Sequence, residues 1–156
     1  GGMIAPYTAW LLTRSLETLH VRMSYQTENA QKLAQYLESH SKVKKVLFPG
    51  LKSMSDSQKE IYNKQCKLPG AMISIILHGG EAEAFRFLNA LQLIKLAVSL
   101  GSNESLAQHP HSMTHSDVPD DEKALMGIEL SLVRISVGIE HADDLINDLK
   151  QALDKV

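Results

Sequence analysis

The chain has 156 residues, 44% of them hydrophobic and 22% charged, a composition suited to one globular domain with a sizeable core. Lys and Arg number 16 against 18 Asp and Glu, so a formal charge of −2 gives no general attraction to nucleic acid or an anionic membrane. No apolar run approaches the ~20 residues that span a bilayer, nothing at the start reads as a signal peptide, and the single cysteine, Cys66, rules out an intramolecular disulfide and fits a reducing cytoplasm.

The chain opens abruptly, Gly1-Gly2-Met3-Ile4-Ala5-Pro6 running straight into a helical pattern with no polar leader. Such a start is expected of a piece of a longer protein. Pro6 suits the first turn of a helix, where its missing N–H costs nothing. No Gly or Pro follows until beyond Ser39, and Leu12, Leu16, Leu19 and Met23 fall on one helical face, continued by Ala30, Leu33, Ala34 and Leu37. The polar patch Ser24-Tyr25-Gln26-Thr27 between them predicts a bend. One long bent helix or two in series is expected, up to ~50 Å long. Trp10, Leu11 and Leu12 make its first turns apolar nearly all round, which predicts burial against a partner.

Val43 to Phe48 reads as a short strand ended by Pro49-Gly50. Residues 56–66 are polar and helical, and Cys66 at their end has no catalytic partner nearby in sequence. Ala71 to Leu77 is β-branched and predicts a central strand. After Gly79-Gly80, Glu81 to Leu91 reads as a helix with acidic residues in its first turn, matching the helix dipole. Its expected core stripe is Ala84, Phe85, Leu88 and Leu91. Lys95 to Leu100 alternates as a strand with Ser99 and Lys95 off the core side. Gly101 to Asp117 reads as a polar loop, followed by a short helix from Pro119 to Gly127.

Ser131 to Glu140 is the most informative stretch. Val133, Ile135 and Val137 alternate with Arg134, Ser136 and Gly138, the period of a strand with one buried face. Its other face presents a guanidinium, a hydroxyl and a glycine that lets something approach the backbone. A guanidinium fixed on a strand can donate two parallel hydrogen bonds to a carboxylate or phosphate. The residues alone leave a second reading open, a solvated or ion-paired structural arginine. Ala142 to Lys155 completes the chain as a helix with Leu145, Ile146, Leu149 and Leu153 inward. The sum is an α+β fold. A small, mostly antiparallel four-stranded sheet carries helices on one face and is preceded by a long N-terminal helix over residues 1–40, with the compact unit over 41–156.

If their strands are neighbours, Ser99 and Arg134 emerge together as a clamp for a carboxylate, with Lys95 on the same phase. The polar loop after Ser99 sits where loops commonly carry function. Glu104 reads either as a ligand contact or as a helix-capping carboxylate. His109, His111 and His115 raise a metal site, but their spacing matches no standard zinc pattern and no Cys or acid completes a set, so none is expected. No nucleotide-binding glycine motif, nucleophile elbow or aromatic-interleaved basic patch occurs.

Taken in order, Ala97-Val98-Ser99-Leu100-Gly101, Glu104-Ser105-Leu106, Gln108-His109-Pro110, Ser112-Met113-Thr114-His115, Gly127-Ile128 and Leu132 to Glu140 closely resemble the C-terminal part of the Cys/Met-metabolism family of pyridoxal-phosphate enzymes. That family includes methionine γ-lyase, cystathionine γ-lyase, cystathionine γ-synthase and O-acetylhomoserine sulfhydrylase. Ala5-Pro6, Arg14-Ser15-Leu16, Thr18-Leu19, Arg22-Met23, Phe48 to Leu51 and Leu68-Pro69-Gly70 extend the resemblance over the whole chain. It implies a C-terminal domain of a fold-type I enzyme of sulfur amino acid metabolism, a homotetramer that uses pyridoxal 5'-phosphate. The cofactor lysine would lie before Gly1, so this chain alone would be inactive. The resemblance also implies that Arg134 binds the substrate α-carboxylate, with Ser99 and the Leu100 backbone beside it and Gln108 and Glu104 lining the same cleft. Clamping that carboxylate would orient the bonds of the α-carbon, the cofactor being the electron sink. Val118 stands where relatives often have Ser or Thr, leaving Asp117 as the expected helix cap. Gln108-His109-Pro110 and Ser112 to His115 lean toward the γ-lyases. The alternatives are a synthase or sulfhydrylase of the same family, a small-carboxylate-binding module without chemistry, or an oligomerisation domain.

Overall fold

In the computed structural model, which describes residues 2–156, an N-terminal pair of helices leads into a single sheet. The elements in order are α1 (Pro6–Leu16), α2 (Leu19–Glu38), β1 (Val43–Leu47), α3 (Asp56–Gln65), β2 (Met72–Leu77), α4 (Glu81–Ala90), β3 (Lys95–Leu96), β4 (Leu106–Gln108), α5 (Asp120–Leu125), β5 (Leu132–Ser136) and α6 (Ala142–Leu153). The sheet has five strands in the order β1-β2-β5-β4-β3. All neighbours are antiparallel except β3 and β4, which are parallel. No described helix is long and apolar enough to cross a membrane.

The alternation read from the sequence sorts the sheet into two faces. Ile73, Ile75 and Leu77 of β2, Val133, Ile135 and the following Val137, Ala107 of β4 and Val46 of β1 are buried together under three helices. Those helices contribute Ala30, Leu33, Ala34 and Leu37 from α2, Ala84, Phe87 and Leu88 from α4, and Leu145, Leu149, Ala152 and Leu153 from α6. Burying each of the larger aliphatic side chains stabilises the fold by about 1.5–3 kcal/mol before entropy is counted. The stripe of α4 is rotated from expectation. Phe87 is fully buried, whereas Phe85 stays 39% exposed and meets the ring of His109 edge-on at 4.9 Å.

The N-terminal helix is interrupted, but not at the polar patch. The break falls at Glu17 and Thr18, and α2 runs unbroken through Ser24-Tyr25-Gln26-Thr27. Two side chains at and just after the patch bond away from the helix rather than to its own backbone. Gln26 Nε2 donates to Ser102 O at 2.6 Å, and Asn29 Nδ2 donates to Glu140 O at 2.7 Å. The second half of α2 therefore belongs to the core. By contrast α1 has no buried residue, and Tyr7, Trp10, Leu11, Leu12, Leu16, Leu19 and Met23 are all exposed.

The sheet has one strand more than the four expected. The segment expected as a strand from Lys95 to Leu100 pairs only at Lys95 and Leu96. The fifth strand is Leu106–Gln108, inside the stretch read as a loop; it is three residues long, too short for periodicity to register. Asp148 explains how this edge is positioned. Its carboxylate, buried on α6, accepts from the backbone N–H of Gln92 at 2.8 Å, Leu93 at 2.9 Å and Ile94 at 2.8 Å. These bonds satisfy the turn between α4 and β3. The start of α4 is treated similarly. Gly80 has no capping side chain, and Glu83 Oε2 accepts from its N–H at 2.7 Å.

Asp148→Ala leaves three N–H groups of the 92–94 turn unpaired and is expected to cost about 3 kcal/mol, read from the urea unfolding midpoint. The bond from Gly80 N–H, then that from its own N–H, holds the Glu83 carboxyl below the usual carboxylate range. Its stabilisation is complete above the ordinary carboxylate pKa and is lost as the pH falls through the depressed value. Melting scans from about pH 7 to about pH 3 should show a shallower acid loss in Glu83→Gln than in the parent.

Candidate functional site

Residues directly opposed on antiparallel strands project from the same side of a sheet, about 5 Å apart. Arg134 is opposed to Ser74 on β2 and to Gln108 on β4, and Ser74 is opposed in turn to Leu47 on β1. Leu47, Ser74, Arg134 and Gln108 thus form one row across the face opposite α2, α4 and α6, exposed at Leu47 and half-buried at Ser74 and Arg134. Arg134 is half-buried in the middle of the row. Among the described residues no carboxylate lies within ion-pair distance of its guanidinium; the six ion pairs found all involve other groups. Gln108 is 2% exposed, and its Nε2 donates to Thr114 Oγ1 at 3.2 Å. Its Oε1 is buried and, among the described residues, unpaired. An unpaired cation and an unpaired acceptor therefore stand side by side on two adjacent strands.

Ser99 does not share a strand pair with Arg134. It lies beyond the end of β3, and β4 separates β3 from β5. Its backbone is in the left-handed half of the map at φ 124°, uncommon for a residue with a Cβ and a mark of local strain. What brings its loop toward Arg134 is a set of bonds to β5 and its continuation. Gly101 N–H donates to Ser136 Oγ at 3.0 Å, and Ser136 is the next residue along on Arg134's face. Ile139 N–H donates to Asn103 O at 2.8 Å. The space left by Gly138 is filled by this loop. A Cβ there would collide with Asn103 O and Glu140 Oε2. Leu100 is 55% exposed and Glu104 is exposed; no helix starts beside Glu104, so it caps none.

The histidines divide. His109 is fully buried, with Nδ1 2.7 Å from Ser112 Oγ and Nε2 2.8 Å from Leu130 O. A carbonyl only accepts, so Nε2 carries the proton and donates, which leaves Nδ1 of the neutral ring to accept from Ser112. Nε2 thereby ties the end of β4 to the segment before β5, while Nδ1 closes the turn just after β4. His111 Nε2 lies 3.5 Å from Asp120 Oδ1, which also accepts from Lys123 Nζ at 3.1 Å. That bond to Lys123, then its charge, holds the Asp120 carboxyl below its usual range, with a smaller contribution from His111. No grouping of three or more metal-ligating side chains occurs among the described residues. Asp117 does not cap α5; the residue before that helix is Pro119, without a side-chain cap, and three acidic residues in the first turn serve the dipole instead.

A cleft of about 760 Å³ lies elsewhere, between β1 and α3, lined by Val46, Phe48, Met54, Ile61, Tyr62 and the exposed Cys66 among others. It holds neither Arg134 nor Gln108. Ser136, legible in the sequence as the hydroxyl on the Arg134 face, is joined by Glu140, Asn29 and Asp148 in positioning this part of the molecule, and no local pattern marks those three for that role.

Residues 1–154 match the model of the Cys/Met metabolism PLP-dependent enzyme family, and the chain belongs to that family. It is 47% identical over 156 residues to an L-methionine gamma-lyase of Treponema denticola, covering 100% of this chain and 38% of the relative. It is 45% identical over 153 residues to a cystathionine gamma-lyase of Sus scrofa, covering 98% of this chain and 37% of the relative. A crystal structure from Campylobacter jejuni, of a protein assigned as an O-acetylhomoserine (thiol)-lyase carrying pyridoxyl-lysine monophosphate, superimposes with a TM-score of 0.92 at 38% identity. The match covers 99% of this chain and 36% of that one. The chain thus spans less than two fifths of the length of the curated relatives named here. Pyridoxal phosphate is the family's cofactor. The one buried lysine among the described residues, Lys123, is committed to Asp120, and Lys95 is exposed.

His109→Phe keeps the ring packing on Phe85 but strands Leu130 O and Ser112 Oγ. A loss of about 2 kcal/mol is expected in equilibrium unfolding.

Proposed function

We propose that this chain is the substrate-binding part of a pyridoxal-phosphate-dependent carbon–sulfur lyase acting on sulfur amino acids, of the methionine γ-lyase or cystathionine γ-lyase kind. The observation that carries the reading is the unpaired Arg134 at the centre of the open sheet face, next to the unpaired Gln108 Oε1. A substrate α-carboxylate pairs with the guanidinium, two N–H groups to two oxygens. Ser99 and the Leu100 backbone approach the same carboxylate from the strained loop, while Gln108 and Glu104 line the cleft. Gln108 Oε1 offers an acceptor to an N–H of Arg134 or of the substrate. The strand supplies stiffness: a guanidinium on a residue hydrogen-bonded on both sides holds the carboxylate, and with it the α-carbon, in one orientation. The cofactor, held by protein outside these residues, supplies the electron sink. The chain alone is inactive on this reading.

The exposed apolar side of α1 and the start of α2 faces that additional protein and its partner subunits, in a homotetramer by analogy with the family. A second member of the family, an O-acetylhomoserine (thiol)-lyase, is kept open by the likeness to the Campylobacter jejuni structure.

In the full-length holoenzyme, Arg134→Ala is expected to raise KM for the amino acid about 10²-fold, and Arg134→Lys about 10-fold, since lysine keeps the charge but loses the planar fork. An unchanged KM in steady-state assays of both variants would remove the carboxylate reading.

A further inference from the structure

Glu140 lies just past the strand that bears Arg134, and no part of the reading above uses it. Its carboxylate is half-buried and has no cation among the described residues. Instead each oxygen is taken by the same residue: Ser105 N–H donates to Oε1 at 2.6 Å and Ser105 Oγ–H donates to Oε2 at 2.8 Å. Ser105 Oγ then accepts from Gly138 N–H at 2.8 Å, closing a ring of bonds between the end of β5 and the chain before β4. Ionised acceptors make hydrogen bonds about twice as strong as neutral ones, so this is a firm attachment.

Its placement gives the attachment a consequence. Ser105 is the junction between the loop that carries Ser99 and Leu100 and the strand that carries Gln108. Asn29 of α2 holds Glu140 in turn, Nδ2 donating to Glu140 O at 2.7 Å and to Gly138 O at 3.3 Å. Gln26, one turn earlier, holds Ser102 O. The strained backbone at Ser99 needs such over-determination to persist. We propose that Glu140 is a positioning residue, whose hold on Ser105 sets the Ser99–Gly101 loop and Gln108 against Arg134 for anion capture. The inference rests on the reading of Arg134 as the carboxylate anchor. It assigns Glu140 no contact with substrate.

The test uses the full-length holoenzyme with Glu140→Ala, Glu140→Gln, Arg134→Ala and the double variant Arg134→Ala/Glu140→Ala, measuring KM, kcat, the inhibition constant of glycine as a minimal carboxylate, and the melting temperature. Glu140→Ala is expected to raise KM and the glycine constant about 10-fold and to change kcat less than about 3-fold. In Glu140→Gln, Oε1 still accepts from Ser105 N–H while Nε2 cannot accept from its hydroxyl, so a rise of about 3-fold is expected. That variant decides the matter if the alanine form does not fold. In the Arg134→Ala background, Glu140→Ala should add less than about 2-fold, because the site it positions is already lost. A lowered melting temperature with unchanged KM would make Glu140 merely structural and overturn the proposal, as would an equal rise in KM with and without Arg134. If Arg134→Ala itself leaves KM unchanged, the anchor reading fails and the positioning role falls with it.

Discussion

A strand cannot bury Val133, Ile135 and Val137 without turning Arg134 to the opposite side. That constraint governs the molecule. β5 is paired on both edges, so its backbone groups are satisfied and its register is set by the apolar face under α2, α4 and α6. A slip by one residue would put a guanidinium into a core where Ile135 has no exposure at all. The energy of hydrophobic burial on one face is thereby converted into positional accuracy for a cation on the other.

The same economy appears where the chain is irregular. The connections beside the site are held by acidic side chains acting on backbone N–H groups. Asp148 on α6 takes three N–H groups of the turn leading into β3, and Glu140 takes the N–H and hydroxyl of Ser105 before β4. Neither carboxylate has a cation beside it among the described residues. A carboxylate accepting several N–H bonds replaces the ladder that such short strands cannot extend, and it fixes the loop from one point on a rigid element. The histidines serve the same end by different chemistry, His109 spending both ring nitrogens on the protein.

One side of this unit is finished and the other is not. The core under the sheet is closed, whereas α1 presents Tyr7, Trp10, Leu11 and Leu12 to solvent and the Arg134 row stays partly accessible at Leu47, Ser74 and Arg134. Apolar exposure of that extent marks a surface built to be covered. It accords with relatives more than twice as long as this chain. On the reading proposed above, the open sheet face meets the substrate while α1 meets the rest of the enzyme, so binding and assembly use separate parts of one small unit.

Much of this was legible in the residues. Period-2 alternation at 132–136 and the β-branched run at 72–77 located the central strands, and the apolar spacing of α6 located its helix, because these signals arise from burial of a whole face. The ordered motifs from Ala97 to Glu140 carried the family resemblance. Other features were decided only by the tertiary structure. β4 is three residues long, and its existence depends on β5 offering an edge rather than on any periodicity of its own. The polar stretch of α2 packs as helix because Gln26 in the patch and Asn29 just after it find carbonyls 76 and 111 residues away. That Arg134 has no carboxylate beside it among the described residues, that Gln108 stands opposite it, and that Glu140 holds Ser105 are facts of register and long-range contact. Local sequence determines which face a side chain takes; only the folded sheet determines what stands next to it.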